Sequence, residues 1–215
     1  MQKGNHDMAH IQQFVYVNGV RQFLPEYFEA RRVLEIGSLN INGSVRQFFQ
    51  GCDYLGIDVG EGAGVDRICR GQDFDAPAES FDTVITCEMM EHNPDWARTW
   101  LNMIRVMKPD GLLVLTCATV GRKQHGTSEY QPGASPLTVS KQQEHYRNLV
   151  ADDIAGLMRL ERWFSEHAFH VDHESHDLYF VGVGSNAADG VRERARLLIR
   201  SLDQYYENKN VAGRY

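Results

Sequence analysis

Short apolar runs separated by polar, glycine-bearing loops set the pattern of this chain. Residues 33–36, 54–57, 81–87 and 112–117 have the length of strands. Residues 81–87 carry the β-branched Thr83, Val84, Ile85 and Thr86, which suit a pleated strand. Residues 112–117 are almost continuously apolar, the mark of a strand covered on both faces. Residues 65–69 form a weaker extended run, and residues 167–174 and 178–183 predict two closing strands.

Helical stretches fall between these runs. Residues 44–50 predict a helix, with Ser44 or Asn42 as its N-cap. Asn93-Pro94-Asp95 opens another, running to about Met107 with Trp96, Trp100, Leu101, Ile104 and Met107 on one stripe. Residues 150–164 predict a third, with Asp152 and Asp153 in its first turn. Residues 1–7 are polar and expected to be loose; residues 8–28 predict one or two short helices, with Asn18-Gly19 as the break and Pro25 opening a turn. Residues 108–111 read as a turn. Residues 118–148, with Gly121, Gly126, Pro132, Gly133 and Pro136, read as a long loop of the kind that carries function. The alternation predicts an α/β, Rossmann-like doubly wound sheet over residues 31–184. A helical lid precedes it over residues 1–30. An amphipathic tail follows over residues 185–215, where Arg192, Arg194, Arg196 and Arg200 interleave with apolar positions.

At 215 residues the chain fits one domain with appendages. Its net charge of −7 argues against nucleic acid or an anionic membrane as a general partner. The start of the chain lacks the apolar core of a signal peptide, and the longest apolar run, residues 111–120, is too short to span a bilayer, so a cytoplasmic protein is expected. Cys52, Cys69, Cys87 and Cys117 are scattered without a CxxC pair, which predicts free thiols in a reducing compartment.

Ligands of such sheets bind beyond the carboxyl ends of the strands. The polar and glycine residues gather there: Gly37, Asp58, Asp73, residues 88–92 and residues 118–127. An NAD site needs a GxGxxG turn so that backbone amides can touch the pyrophosphate. The turn here is Gly37-Ser38-Leu39-Asn40-Ile41-Asn42-Gly43, whose side chains would hold a pyrophosphate away. Asp58 suits ribose hydroxyls of either kind of ligand.

Glu35-Ile36-Gly37, Gly56-Ile57-Asp58, Phe81-Asp82-x-Val84, Glu91-His92 and Met107-Lys108-Pro109-Asp110-Gly111 occur in order. In these motifs the chain resembles the class I S-adenosylmethionine-dependent methyltransferases over residues 33–117, and more loosely to residue 183. It departs from the family's ExGxGxG loop, whose second and third glycines are replaced. The resemblance implies a seven-stranded sheet, mostly parallel with an antiparallel last strand, and S-adenosylmethionine as cofactor. Glu35, Gly37 and Ser38 would then line the methionine end, Asp58 would hold the ribose and Val59 the adenine. Asp73 would accept from the adenine amino group, Phe74 would flank the ring, and Cys87 and Glu88 would lie beside the methionine.

Methyl transfer requires an acceptor placed in line and sometimes a base. His92, beside the expected methyl group, is the first candidate for base or acceptor-orienting group, against a plain helix-start residue. Glu91 is the second, against a solvated or capping carboxylate. His125, in the Gly-bounded loop, is a base or substrate contact, against a surface loop. His145 and Tyr146 are expected to fold over the same mouth, against simple packing. His167, His170, His173 and His176 recur every third residue, but strand alternation sends neighbours to opposite faces, so no metal is assigned. The expected reaction is O-methylation of a sugar or secondary-metabolite hydroxyl, since histidines are at hand and no NPPY-type amine-methylating motif is present. The other readings are a non-catalytic methyltransferase-like binding module and an NAD-dependent oxidoreductase. The arginine-rich tail is either a solvated face or a homodimer contact.

Overall fold

The apolar runs fold into one sheet. Its strands are β1 (Arg32–Ile36), β2 (Asp53–Asp58), β3 (Arg67–Ile68), β4 (Phe81–Cys87), β5 (Met107–Ala118), β6 (Phe164–Asp172) and β7 (Asp177–Gly184). The computed structural model describes the backbone of residues 6–212 and side chains from residue 11. The expected loose start falls largely on residues 1–5, outside the described residues, while His6 already begins a helix.

The strand order is β3-β2-β1-β4-β5-β7-β6. All neighbours to the β5 side of β3 pair in parallel until β7, which is antiparallel to both β5 and β6. This is the Rossmann-like doubly wound sheet, with its last strand in chain order reversed. The direction of the chain switches between β1 and β4, and that crevice is where such sheets bind ligands.

Side-chain alternation splits each central strand between two cores. Leu34 and Ile36 of β1, Val84 of β4, Leu113 and Leu115 of β5 and Phe180 of β7 face one way. There they meet α2 (Trp96–Val106) through Trp100, Met103 and Ile104, and α4 (Ala151–Ala155) through Ile154. Val33, Ile85, Leu112, Val114, Tyr179 and Val181 face the other way. They are covered by α1 (His6–Phe23) and α5 (Asp189–Ala212) through Tyr16, Val17, Val20, Leu198, Leu202 and Tyr206.

The expected lid and tail are therefore one packed layer of the domain. Asn18-Gly19 does not break α1, because the buried Tyr16, Val17 and Val20 hold both halves on the sheet and packing outweighs propensity. Three tail arginines find partners within the chain: Arg192 donates to the Ala187 carbonyl at 2.7 Å, Arg196 to Glu166 at 2.7 Å, and Arg194 to Glu26.

Other boundaries differ from expectation. Residues 44–50 make only a 3-10 turn, Val45–Phe48, capped as expected by Ser44, whose hydroxyl accepts from Arg46 N at 3.1 Å. The stretch 150–164 stops after five helical residues at Gly156, gives a 3-10 turn at Leu160–Arg162, and is already strand at Phe164. Residues 108–111 bulge out of β5 between its pairing of Met107 with Phe81 and of Leu112 with Thr83. In α2 the predicted stripe loses Leu101, which is exposed, and gains the buried Met103. The loop over residues 118–148 holds a short helix, α3 (Pro136–Ser140).

Candidate active site

The carboxyl ends of β1, β2 and β4 open on a cavity of about 410 Å³, within the size range of small-molecule sites. Glu35, Gly37, Ser38, Asp58, Val59, Cys87, Glu88 and His92 all line it. Eight residues named from sequence thus converge on one space.

Gly37 ends β1 with φ +82°, and a Cβ there would come within 2.5 Å of Met89, so the first loop and the end of β4 touch through a position only glycine fills well. The loop then turns over the end of β2. Asp58 fixes it: one carboxylate oxygen accepts from Leu39 N at 3.0 Å and the other from Val59 N at 2.7 Å. Burial raises the Asp58 pKa, and those two amides oppose the rise. Asn40 N donates to the Ala63 carbonyl at 2.7 Å, stitching this loop to the glycine-rich turn after β2. Leu39 and Ile41 stand where the family has glycines, and both line the cavity.

Glu35 is buried and accepts from the Tyr54 hydroxyl at 3.0 Å. Burial pushes its carboxyl up to about 7, against the opposing pull of Tyr54 and Arg46. The Ser38 hydroxyl is buried and has no hydrogen-bond partner among the described residues. Glu88 closes β4 in the left-handed region at φ +52°, a conformation that costs a non-glycine residue energy and is held here by neighbours. Its amide donates to the Thr116 carbonyl at 2.9 Å, and Thr116 Oγ1 donates to its carboxylate at 2.8 Å. Burial, then Asp177 and Glu91, raise the Glu88 pKa well above the carboxylate range.

The residues expected for chemistry are placed in two layers. His92 lines the cavity. Glu91, fully buried, points behind the wall, where Oε1 accepts from Ala118 N at 3.2 Å. His125 packs on His92 with ring centroids 4.9 Å apart, and Tyr146 lies against both rings at 5.6 and 4.9 Å. His125, His145 and Tyr146 thus stand outside the cavity lining. The 145–148 segment does fold over this corner: Arg147 N donates to the Glu91 carbonyl at 2.9 Å. Burial, then the neighbouring His125, push His92 down to about 3, so it is a neutral imidazole. Burial pushes Glu91 up to about 7.

Two expected cofactor contacts fall elsewhere. Asp73 is exposed and faces Arg98 at 3.6 Å, and Phe74 is buried in the core against Phe81. The cavity wall at that strand end is instead Cys69, Arg70, Gly71 and Gln72. The displacement follows from β3 ending at Ile68, so the chain passes the cavity earlier than the motif spacing implied. Gln13 of α1 and residues 134–138 also line the cavity and were not singled out from sequence. Amphipathic packing hid Gln13, and a loop without strong periodicity hid the rest. All four cysteines are free thiols. His167 packs on Phe164 and Phe180, and His170 on Tyr16 and Tyr206 across the sheet, so the histidine repeat is split between faces. Among the described residues no helix is long and apolar enough to cross a membrane.

A doubly wound sheet with an acid-tipped second strand and a cavity at its topological switch defines a Rossmann-like ligand-binding enzyme fold. The sequence matches the model of the methyltransferase domain over residues 8–171, and the chain belongs to that family, the S-adenosylmethionine-dependent methyltransferases of class I. No match to a curated protein was found. Among solved structures, the chain is similar to phosphoethanolamine N-methyltransferase 2 of Haemonchus contortus in complex with S-adenosyl-L-methionine, with 15% identity and a TM-score of 0.54. That match covers 79% of this chain and 52% of the other, so the chain spans about half of that enzyme. It is similar to 1,6-didemethyltoxoflavin-N1-methyltransferase of Burkholderia thailandensis, bound to 1,6-didemethyltoxoflavin and S-adenosylhomocysteine, with 15% identity, a TM-score of 0.50, and coverage of 87% and 92%. A protein of Pyrococcus horikoshii shares 12% identity and a TM-score of 0.54, with coverage of 82% and 92%. At these identities the likeness is one of fold.

Proposed function

We propose that this methyltransferase moves the methyl group of S-adenosylmethionine to a hydroxyl of a small molecule, of the sugar or secondary-metabolite kind, bound beside His92. The observation that carries the reading is the single cavity wall shared by the Glu35–Ser38–Asp58 set and His92. When bound, the cofactor supplies a methyl group already activated by a sulfonium. The chain's own residues do the rest. Asp58 accepts from ribose hydroxyls. The unpartnered Ser38 hydroxyl and Glu35 receive the amino-acid end, and Leu39 and Ile41 supply apolar cover where a pyrophosphate would need bare backbone.

His92, whose ring lines the cavity, hydrogen-bonds the acceptor. An imidazole held so far below neutral pH is a poor proton remover, so its part is orientation more than base catalysis. His92→Ala is expected to lower kcat by about 100-fold, the scale of a lost positioning contact, with cofactor affinity changed little. Transfer of labelled methyl to a panel of sugars, phenols, carboxylates and amines tests both parts. Turnover of hydroxyl acceptors that is indifferent to His92→Ala would remove the residue from the reaction. A second reading, amine acceptors, is favoured by the Glu144 carboxylate in the same lining, and amine turnover alone would establish it.

Glu35 makes cofactor binding depend on pH. Its carboxyl titrates near 7 in the folded protein, so below that it is neutral and above it is an anion facing the cofactor's ammonium. Affinity for S-adenosylmethionine should rise between about pH 6 and about pH 8, and Glu35→Gln should flatten the rise. Stability of the ligand-free protein runs the other way. The folded state holds this proton more tightly than the unfolded chain, so stability is lost as pH climbs from the ordinary glutamate range to about 7.

A further inference from the structure

Behind the cavity wall, His92 is joined by Glu91 and His125, two buried side chains that the methyl-transfer reading does not use. One ligand atom each of Glu91, His92 and His125 falls within 4.8 Å of the others, and all three residues are buried. We propose that these residues form a site for a divalent transition-metal ion of the zinc class, directly behind the acceptor half of the cavity.

The donor set comes first. Two imidazoles and one carboxylate form the three-ligand arrangement that leaves a coordination position for water or substrate, and they suit zinc, cobalt or ferrous iron better than magnesium or calcium. Glu91 Oε2 and His92 Nδ1 are both buried without a hydrogen-bond partner among the described residues. A native interior rarely leaves two such atoms together unsatisfied. An ion within reach of both would meet both.

The supporting shell is also present. The Lys123 carbonyl lies 3.0 Å from His125 Nδ1, which holds the proton on that nitrogen and turns the lone pair of Nε2 into a ligand. Glu91 Oε1 is held by Ala118 N at 3.2 Å. The Tyr146 hydroxyl donates to Asn148 Oδ1 at 2.8 Å and lies 3.1 Å from the same Lys123 carbonyl, so its ring is fixed against both imidazoles. Gly126 packs on the His92 ring, where a Cβ would stand 2.6 Å from Cε1 and 3.1 Å from Nδ1. Only glycine allows the backbone to pack this closely on the ring.

Charges of both signs surround the group, since Arg122 acts on His92 as well as on the carboxylates. Glu88 and Asp177 act electrostatically on Glu91 or on each other, and Arg122 partly offsets them. His92 reaches the cavity while Glu91 and His125 stay behind its lining, so His92 is the residue that links the ion to the acceptor side.

The placement beside the acceptor rests on the proposed function, but ion binding is tested without methyl transfer. The purified full chain would be titrated with Co²⁺ and with Zn²⁺ in the absence of cofactor, reading Co²⁺ visible absorption and Zn²⁺ calorimetry. One ion per chain is expected. His125→Ala and His92→Ala should each weaken binding by at least roughly 100-fold, more than the loss typical of an outer-shell partner. His173→Ala, at an exposed position, should leave it unchanged. Melting followed by circular dichroism shows which variants are folded. Anomalous scattering at the zinc edge from a crystal of the wild-type chain gives a readout free of mutation, with density expected at about 2.0–2.1 Å from an imidazole nitrogen of His92 and of His125. No bound ion, binding indifferent to both His92→Ala and His125→Ala in folded variants, or an anomalous peak elsewhere would overturn the site.

Discussion

Asp58→Ala is expected to weaken S-adenosylmethionine binding by about 10- to 100-fold, the worth of hydrogen bonds to a charged acceptor. The carboxylate has two tasks. It accepts from Leu39 N and Val59 N, which sets the loop after β1 against the end of β2. In the proposed complex it also takes the ribose hydroxyls. Alanine removes both and leaves two amides without their acceptor. Asp58→Asn keeps one oxygen and should lose less. Calorimetry with S-adenosylmethionine, beside melting of the ligand-free protein, separates the two tasks. A large loss of affinity with a small change in melting assigns the ribose contact, whereas equal affinity for all three proteins would exclude it.

The second large effect is on stability. Arg122→Ala is expected to cost about 3–5 kcal/mol, the scale of stranding a buried charge. Arg122 Nη1 meets Asp177 Oδ1 at 2.9 Å and also donates to the Ser175 carbonyl at 2.7 Å. Asp177 is fully buried at the start of β7, and burial lifts its carboxyl to about 6 in spite of the arginine. Without Arg122 the aspartate must take up a proton or remain an unpaired charge. For a chain of this size the melting temperature should fall by roughly 10 °C. Arg122→Ala combined with Asp177→Asn should recover much of the loss, because the stranded charge goes with the aspartate. If the single variant melts like the wild type, Arg122 contributes nothing to the fold and the paired-charge account of this corner fails.

The sequence carried the sheet because every central strand repeats the same two-sided alternation. Val33 with Ile85, and Leu34 with Val84, show how one apolar run feeds two cores. Helix lengths were harder to read. The run at 150–164 has helical spacing, but Gly156 ends it and the aromatic Phe164 belongs to a strand. In the site, residues adjacent to strand ends were legible: Gly37, Asp58, Glu88 and His92 all reach the cavity, because a strand fixes where its next residue lies. Asp73 and Phe74 were misplaced because a two-residue strand fixes much less. The joining of His92 to His125 depends on how a loop returns over the sheet, which no local pattern encodes. The same holds for Tyr146, which reaches the histidines only through the docking of residues 145–148 on Glu91.

The central claim is that the cavity at the ends of β1, β2 and β4 receives S-adenosylmethionine. Titration calorimetry of the full chain against S-adenosylmethionine, S-adenosylhomocysteine and NAD is its most direct test. The account predicts one-to-one binding of both sulfur ligands and no heat from NAD. Absence of binding by both sulfur ligands, or tighter binding of NAD, would contradict it.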